Sequence, residues 1–489
     1  MIHKLLAGMT NKVHYSLALF LLSFSFFAQS QGKTWSLNDC VNYALKNNIA
    51  IQQSVLQAQL SDVTKTAAIG GFLPNISANA SHSWNIGLNQ NITTGLLENQ
   101  TTQFSQGGIN ANIVLYNGLQ NQNRLRRANL SIIASQYQVT KMQSDVSLNV
   151  ANAYLQILFN KENLKVQKEQ LNNDEKQLQR NNELVNAGAV PRGDLLDSKA
   201  LVASDKQKVI LSENALFISK LSLAQLLQLS DFQNFDVSDT TVLQIEKSTV
   251  LLEAPEAIIE KAKQERVEIK LAKTNLEVAL KDIKIAKGAY QPTLSGFYNF
   301  SSRVSDNPRV TGLELNTTNP TTIIGQVQGT GQNVVKPNIN PLFGGPDAFF
   351  NQFGDNKGQN FGFQVSIPIL NGFAVKTNVQ RAKIAFEQSK IASKQANLDL
   401  ERNVYNAIND AKGALNAYES SIVAFEARKE ALNYAKEKFN VGMMNSFTLN
   451  QSQTLYAASE SEVLRTKYDY IFKVKVVEFY FGIPLSKKQ

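Results

Sequence analysis

The chain has 489 residues, 49 Lys and Arg against 40 Asp and Glu for a formal charge of +9, one cysteine and three histidines. One cysteine excludes an internal disulfide, and so few thiols and imidazoles exclude a zinc site of ordinary composition. The basic excess is spread along the chain, with no basic tract interleaved with aromatics, so nucleic acid is excluded as a partner.

Lys4 and Lys12 precede an apolar run from Leu17 to Ala28, and Ala28-Gln29-Ser30 follows. That order reads as a secretory signal over 1–30, cleaved near residue 30. The run of about twelve residues is short of the roughly 20 that a spanning helix needs. No later stretch reads as apolar enough to span. Entry into a membrane then requires a closed β-barrel, because lipid cannot satisfy an open sheet edge. Cys40 follows Leu37-Asn38-Asp39, which is not the small-residue run of a lipoprotein signal. It reads as a small packed side chain of an amphipathic helix over 37–70.

Pro74 ends that helix and a strand follows, over about 72–90. Ile76, Ala78, Ala80, His82, Trp84, Ile86 and Leu88 fall on one face, and Ser77, Asn79, Ser81, Ser83, Asn85 and Gly87 on the other. With the signal removed His82 is the only histidine, and its place on an apolar strand face suits an interface residue better than a ligand. A second alternating strand runs over about 104–117 and ends on Leu115-Tyr116-Asn117-Gly118. Such strands suit a barrel with lipid outside and water inside; a soluble sandwich with one buried face shares the pattern.

Residues 119–187 contain no proline or glycine, and Val146, Val150, Ala153, Tyr154, Ile157 and Leu158 recur at helical spacing. At about 1.5 Å per residue this is a helix of roughly 100 Å, a length that points to a coiled coil or helical barrel. Gly188 ends it, a helix over 195–229 returns, and 230–254 reads as a small side feature before Pro255. A helix over 255–288 leads to Pro292 and a strand over about 290–302. Residues 302–360 hold five of the eleven prolines and read as a long loop. A strand over about 359–371 ends on Asn371-Gly372, a helix over 373–441 ends at Gly442, and 449–483 is the last helix.

These elements occur twice. One offset of 254 residues relates Asn117-Gly118 to Asn371-Gly372 and Gly188 to Gly442; an offset of 218 relates Pro74 to Pro292. The difference of 36 residues is the larger loop of the second copy. The chain is therefore expected to be an α+β membrane protein with internal duplication, a first repeat over 31–253 and a second over 254–489. No Gly-rich phosphate loop or acid–base cluster points to an enzyme, and no cofactor is expected.

The opening helix Trp35-Ser36-Leu37-Asn38-Asp39-Cys40-Val41-Asn42-Tyr43-Ala44-Leu45, the prolines before the strands, the Leu/Ile-x-Asn-Gly after them and the glycine turns between helices resemble the TolC-like outer membrane factor family from Trp35 to Leu485. The resemblance implies a homotrimer whose four strands per subunit close a 12-stranded outer-membrane barrel, continued by a periplasmic helical barrel. It implies a passive gated duct of a tripartite efflux or type I secretion system, with a periplasmic adaptor and an inner-membrane pump as partners. Gly188 and Gly442 then lie at the periplasmic tip. Family members can carry carboxylates six and nine residues after the second-repeat glycine, but Thr448 and Gln451 stand there, and Asp194 and Asp197 hold the equivalent places in the first repeat. Asp194 and Asp197 read either as a cation-attracting gate, with Arg192 able to pair with them, or as helix N-terminal acids with Asp194 as the cap. A competing class, an exported coiled-coil scaffold or adhesin without a pore, predicts the long helices without the alternating strands.

Overall fold

The computed structural model describes residues 34–90, 95–230, 232–238 and 249–483; the expected signal over 1–30 lies outside them. The chain divides into two compact units. One takes the described residues up to Ser61, Leu130–Glu277 and those from Glu387 on; the other takes Asp62–Asn129 and Val278–Phe386.

In chain order the elements are β1 (Thr34–Trp35), α1 (Leu37–Asn47), α2 (Ile49–Gly70), β2 (Asn75–Gln90), β3 (Leu97–Asn117), α3 (Gln120–Asn186), α4 (Arg192–Leu227) and β4 (Asp236–Val237). After a 3-10 turn at Thr249–Leu252 come α5 (Pro255–Glu265), α6 (Val267–Gly288), β5 (Thr293–Ser305), β6 (Arg309–Leu315), β7 (Thr321–Gln326), β8 (Asn333–Pro337) and β9 (Ile339–Gly344). The chain continues through α7 (Phe349–Asp355), β10 (Gly358–Ser366), α8 (Ala374–Asn440) and α9 (Ser446–Tyr480). The two long helices α3 and α8 have 67 residues each.

The helix expected over 37–70 is broken at Asn48, and that over 255–288 at Arg266. Both residues leave the helical region, with ψ 128° and 129°. They are related by the offset of 218, so the break belongs to the repeat. At both breaks a polar side chain reaches the end of a neighbouring helix. Asn48 Nδ2 donates to the Leu226 carbonyl at the end of α4 (2.9 Å), and Arg266 Nη1 donates to the Phe479 carbonyl at the end of α9 (3.5 Å).

The helical unit has two main core clusters, each built chiefly from one repeat, with Ile471 joining the first and Val250 the second. Cys40, Val41 and Ala44 of α1 pack with Val150, Tyr154 and Ile157 of α3 and Leu223 and Leu227 of α4. Ile258, Ile259 and Ala262 of α5 pack with Val404, Ile408 and Ala411 of α8 and Val477 of α9. The side feature after α4 is not a loop alone: β4 pairs in parallel with β1, and the Tyr154 hydroxyl donates to the Ser238 carbonyl beside it (2.9 Å). Two-residue strands carry no periodicity, which is why the pattern did not reveal them.

Helix α4 is, by length and composition, apolar enough to cross a membrane, contrary to the expectation that no later stretch is. One side of it is nevertheless used in packing. Leu195, Val202, Val209 and Leu223 are buried, alternating with buried Ser198, Asp205, Ser212 and Ser219. This is a heptad seam against α3.

In the other unit the four long strands form one antiparallel sheet, in the order β10-β5-β3-β2. Strand β10 stops at Ser366, opposite Thr293, and not at 371 as expected. Pro368 and Pro292 lack the N–H that the next pairs need. Strand β3 starts at Leu97, seven residues before the expected 104, and a bulge between Val114 and Tyr116 takes Leu115 out of the pairing. The segment expected as a long loop is folded. β6 pairs with β9 and β7 with β8, giving a two-stranded ribbon, and α7 follows it.

Candidate functional site

Two surfaces carry the predicted residues, and they lie in different units. The first is the sheet. Its pairing puts Ile76, Trp84, Ile109, Tyr298, Phe361 and Phe363 on one face and Asn79, Ser83, Asn110, Asn299, Gly362 and Gln364 on the other. The polar face bonds to itself, with Asn110 Nδ2 donating to Asn79 Oδ1 at 2.9 Å. The apolar face is open: Ile86 is 81% exposed and Phe361 and Phe363 77%. His82 lies on that face, 2.8 Å from Ser105 Oγ and edge-on to Trp84. Helix α7 packs on the same face, where Phe353 stands against Gly107 and its carbonyl accepts from Ser302 Oγ (2.6 Å).

The turns from strand to helix are alike in both repeats. Gly118 and Leu119 have φ of 67° and 61°, and Gly372 and Phe373 have 57° and 64°. A left-handed Leu or Phe costs roughly 1–2 kcal/mol, so the repetition of the strain marks a geometry the repeat requires. The surroundings differ. A Cβ on Gly118 would strike the Gly288 carbonyl, and one on Gly288 would lie 2.6 Å from the Gly118 carbonyl oxygen. Gly372 and Gly70 face open space. Asn117 Oδ1 accepts from the Asn121 N–H at the start of α3 (3.3 Å).

The second surface is the pair of hairpin turns in the helical unit. Gly188 (φ +73°) ends α3 with Ala189 N–H bonded to the Leu184 carbonyl at 2.9 Å and its own N–H to Val185 at 3.0 Å. Gly442 (φ +74°) ends α8 in the same way, through Met443 to Lys438 (2.8 Å) and Gly442 to Phe439 (3.1 Å). These are Schellman caps, for which glycine is the favoured residue. The helix starts differ. Asn445 caps α9, its Oδ1 accepting from the Thr448 N–H (3.0 Å) and hydroxyl (2.8 Å). Its counterpart at offset 254 is Pro191, which offers no side-chain cap. Asp194 is therefore not the cap residue. It is half-buried in the first turn of α4, where the helix dipole favours a carboxylate. Asp197 and Arg192 are exposed, as is Gln451. Among the described residues no ion pair joins Arg192 to either acid.

The sequence reading missed the polar filling of the α3/α4 seam. Asn181 Nδ2 donates to Ser198 Oγ (2.7 Å), Asp174 faces Asp205, and Asn160 Nδ2 donates to the Ala215 carbonyl (3.1 Å). The signal was the seven-residue spacing of Ser198, Asp205, Ser212 and Ser219.

Comparison with known proteins gives three findings. A family model described as "Outer membrane efflux protein" matches residues 40–228 and 258–474. The chain is 29% identical over 182 residues to "Outer membrane protein TolC" of Vibrio cholerae; that match takes in 37% of this chain and spans about two fifths (40%) of the relative's length. The fold is similar to the crystal structure of the Campylobacter jejuni CmeC outer membrane channel (TM-score 0.72, 17% identity, 93% of this chain and 87% of that one). It is also similar to that of the outer membrane protein VceC from Vibrio cholerae (TM-score 0.70, 12% identity, 91% and 96%).

Proposed function

Because this chain belongs to the outer membrane efflux protein family, we propose that three copies form a passive exit duct across the outer membrane, fed by an inner-membrane pump through a periplasmic adaptor. The residues over 1–30 export the chain, the repeats 31–253 and 254–489 alternate around the pore, and the sheets close into a 12-stranded barrel. The observation that carries this reading is the two-faced sheet, which among the described residues ends on β2 at one side and β10 at the other. One face is apolar and open, as a lipid-facing wall must be; the other is lined by amides and hydroxyls. A pore-free coiled-coil scaffold has no use for such a sheet.

The duplication predicts how the edges join. Within the chain β3 of the first repeat pairs with β5 of the second, Gly108 opposite Ser301 and Asn112 opposite Phe297. Carrying both strands to their counterparts sets Gly362 opposite Ser83 of the partner subunit and Ser366 opposite Asn79 of the partner subunit. This register keeps polar with polar and apolar with apolar, and closure removes the edges. The Gly118–Gly288 contact becomes Gly372 against Gly70 of the partner subunit, and both glycines are open in the single chain. The helices follow the same rule. Gln167 of α3 bonds Ser461 of α9 (3.2 Å), so α8 meets α4 of the next copy. Those helices carry the exposed Val423 (71%), Ile391 (68%), Leu211 (60%) and Ile218 (60%).

Paired cysteines at 364 and 81, in a Cys40→Ala background, should oxidise to a covalent trimer in outer-membrane fractions, while a pair shifted to 364 and 83 should not. A detergent-free soluble monomer would end the reading. Asp194 and Asp197 of the three copies, with Arg192 beside them, would form a cation-attracting ring at the tip, with Gly188 and Gly442 as the bends. Single-channel recording of Asp194→Asn/Asp197→Asn tests this: lost cation preference and lost divalent block are expected, and unchanged selectivity with unchanged block would overturn the gate.

A further inference from the structure

The α3/α4 hairpin contains a buried acid pair that the duct reading does not use. Asp174 on α3 and Asp205 on α4 are 1% and 2% exposed. Gln170 Nε2 donates to Asp174 Oδ2 (2.7 Å), and Lys208 Nζ bonds Asp205 Oδ1 (2.8 Å). The remaining oxygens, Asp174 Oδ1 and Asp205 Oδ2, have no donor but each other's acid among the described residues. Two carboxylates cannot bond to each other; a carboxylate and a carboxylic acid can. The pair thus holds together only while it retains a proton.

The surrounding charges do not remove this need. Among the described residues Lys208 is the one cation whose charge acts on Asp174, and it is bonded to Asp205. The next pair along the same helices, Glu175 and Lys206, is already joined across the seam at 3.1 Å. The equivalent seam of the second repeat lacks the feature. Arg428 and Ser459 stand at the positions offset by 254, and the neighbouring rung there is a neutral hydroxyl pair, Ser421 with Thr466 at 2.8 Å.

We propose that Asp174 and Asp205 form a shared-proton clasp that closes the α3/α4 hairpin in acid and releases it as the pH rises, leaving the α8/α9 hairpin unaffected. Burial first, and then the hydrogen bond to Asp205, push Asp174 up from 3.8 to about 7. The sign follows from this. A raised acid is protonated in the closed seam and ionised in the open, hydrated one. Closure is strongest below the ordinary carboxylate range, weakens from about pH 4 to pH 7, and is flat above that. The limiting slope is about tenfold in the opening equilibrium per pH unit, for one proton.

Hydrogen exchange of the assembled protein in detergent, expressed as protection relative to the intrinsic rate, reads the opening directly. Its result does not depend on whether the assembly conducts. Segments 170–181 and 198–208 should lose at least about tenfold in protection between pH 5.5 and 7.5, while 424–435 and 452–462 stay level. Asp174→Asn, whose amide bonds Asp205 at any pH, should abolish the difference. Lys208→Met, which removes the adjacent cation, should move the fall to higher pH. Flat protection in the wild type, the same fall in Asp174→Asn, or an unmoved midpoint in Lys208→Met would overturn the clasp.

Discussion

Shifted by 254 residues, the hairpin Gln120–Leu226 lies over the hairpin Ala374–Tyr480 with no gap, and the two share a heptad register. Asn181 and Ser198 correspond to Ala435 and Ser452, Asp174 and Asp205 to Arg428 and Ser459, and Tyr154 to Ile408. What differs is the filling. The first hairpin buries amides and acids beside serines on its rungs; the second puts alanine and hydroxyls there, with Arg428 at the Asp174 position exposed. A polar rung in a coiled coil specifies register at a cost in stability. The register of the duplicated unit is thus held chiefly by apolar layers in the second repeat and partly by hydrogen bonds in the first. Solution conditions act on the second kind.

The largest test of this contrast is in the two cores. Tyr154 and Ile408 are both buried, but only Tyr154 also bonds the β4 side feature. Tyr154→Ala should cost roughly 3–5 kcal/mol and Ile408→Ala roughly 2–5, as large-to-small core changes do. Tyr154→Phe removes the hydroxyl's bonds to Ser238 beside β4 and to the Trp35 carbonyl of β1 (3.3 Å) and should cost about 1 kcal/mol. Chemical denaturation of the purified variants measures all three. Equal effects of Tyr154→Phe and a surface control would remove β4 from the account of the first core.

The strand-to-helix glycines sharpen the comparison between contacts within a chain and contacts between chains. Gly118→Ala combines a left-handed alanine with a clash against the Gly288 carbonyl, so a loss of about 2–4 kcal/mol in the single chain is expected. Gly372→Ala carries only the backbone strain, about 1 kcal/mol or slightly more, in the single chain. Its further effect should appear in trimer yield. Equal monomer losses for both variants would refute the asymmetry.

A smaller difference lies at the hairpin turns. Asn445→Ala removes a side-chain cap and should cost about 1 kcal/mol, read as local exchange at the start of α9. Pro191→Ala removes none and should change exchange at the start of α4 little.

How far the sequence revealed all this depended on the length over which a pattern repeats. The 67-residue helices were legible to within one residue at each end, because prolines and glycines punctuate them. The sheet was legible in its faces and less so in its ends: Pro368 stops β10 before the Asn371-Gly372 turn that marks the end of the alternation, and Leu97–Gln103 carries no clear alternation. The ribbon over Arg309–Gly344 was hidden by its own prolines, which a two-stranded element with every residue near an edge tolerates. At the turns, Asp194 is the residue whose charge stands out in the sequence. Asn445 and Pro191 decide the capping, but that required knowing where each helix begins. The buried acids of the seam were masked by helices rich in acids, where periodicity alone does not separate a solvated face from a dry one.

The smallest effect expected is at Cys40, and it tests whether the two cores are equivalent. Its counterpart at offset 218 is Ile258; both are 0% exposed, and Val41 and Ala44 likewise match Ile259 and Ala262. Cys40 therefore stands where the second repeat has an aliphatic side chain, in a core rather than a reactive pocket. Burial, reinforced by the charge of Asp39, pushes its thiol from 9.0 up to about 12. The neutral thiol is the form the fold favours, so stability is unaffected below about pH 9 and falls above it, by at most about tenfold in the folding equilibrium per pH unit. Iodoacetamide at pH 8 should leave the folded protein unmodified and label the denatured chain fully. Cys40→Val should fold and assemble as the wild type does, because it brings in the branched aliphatic chemistry of the second repeat at a volume between those of Cys40 and Ile258. Rapid labelling of the folded trimer would place Cys40 at a surface and break the correspondence between the two cores.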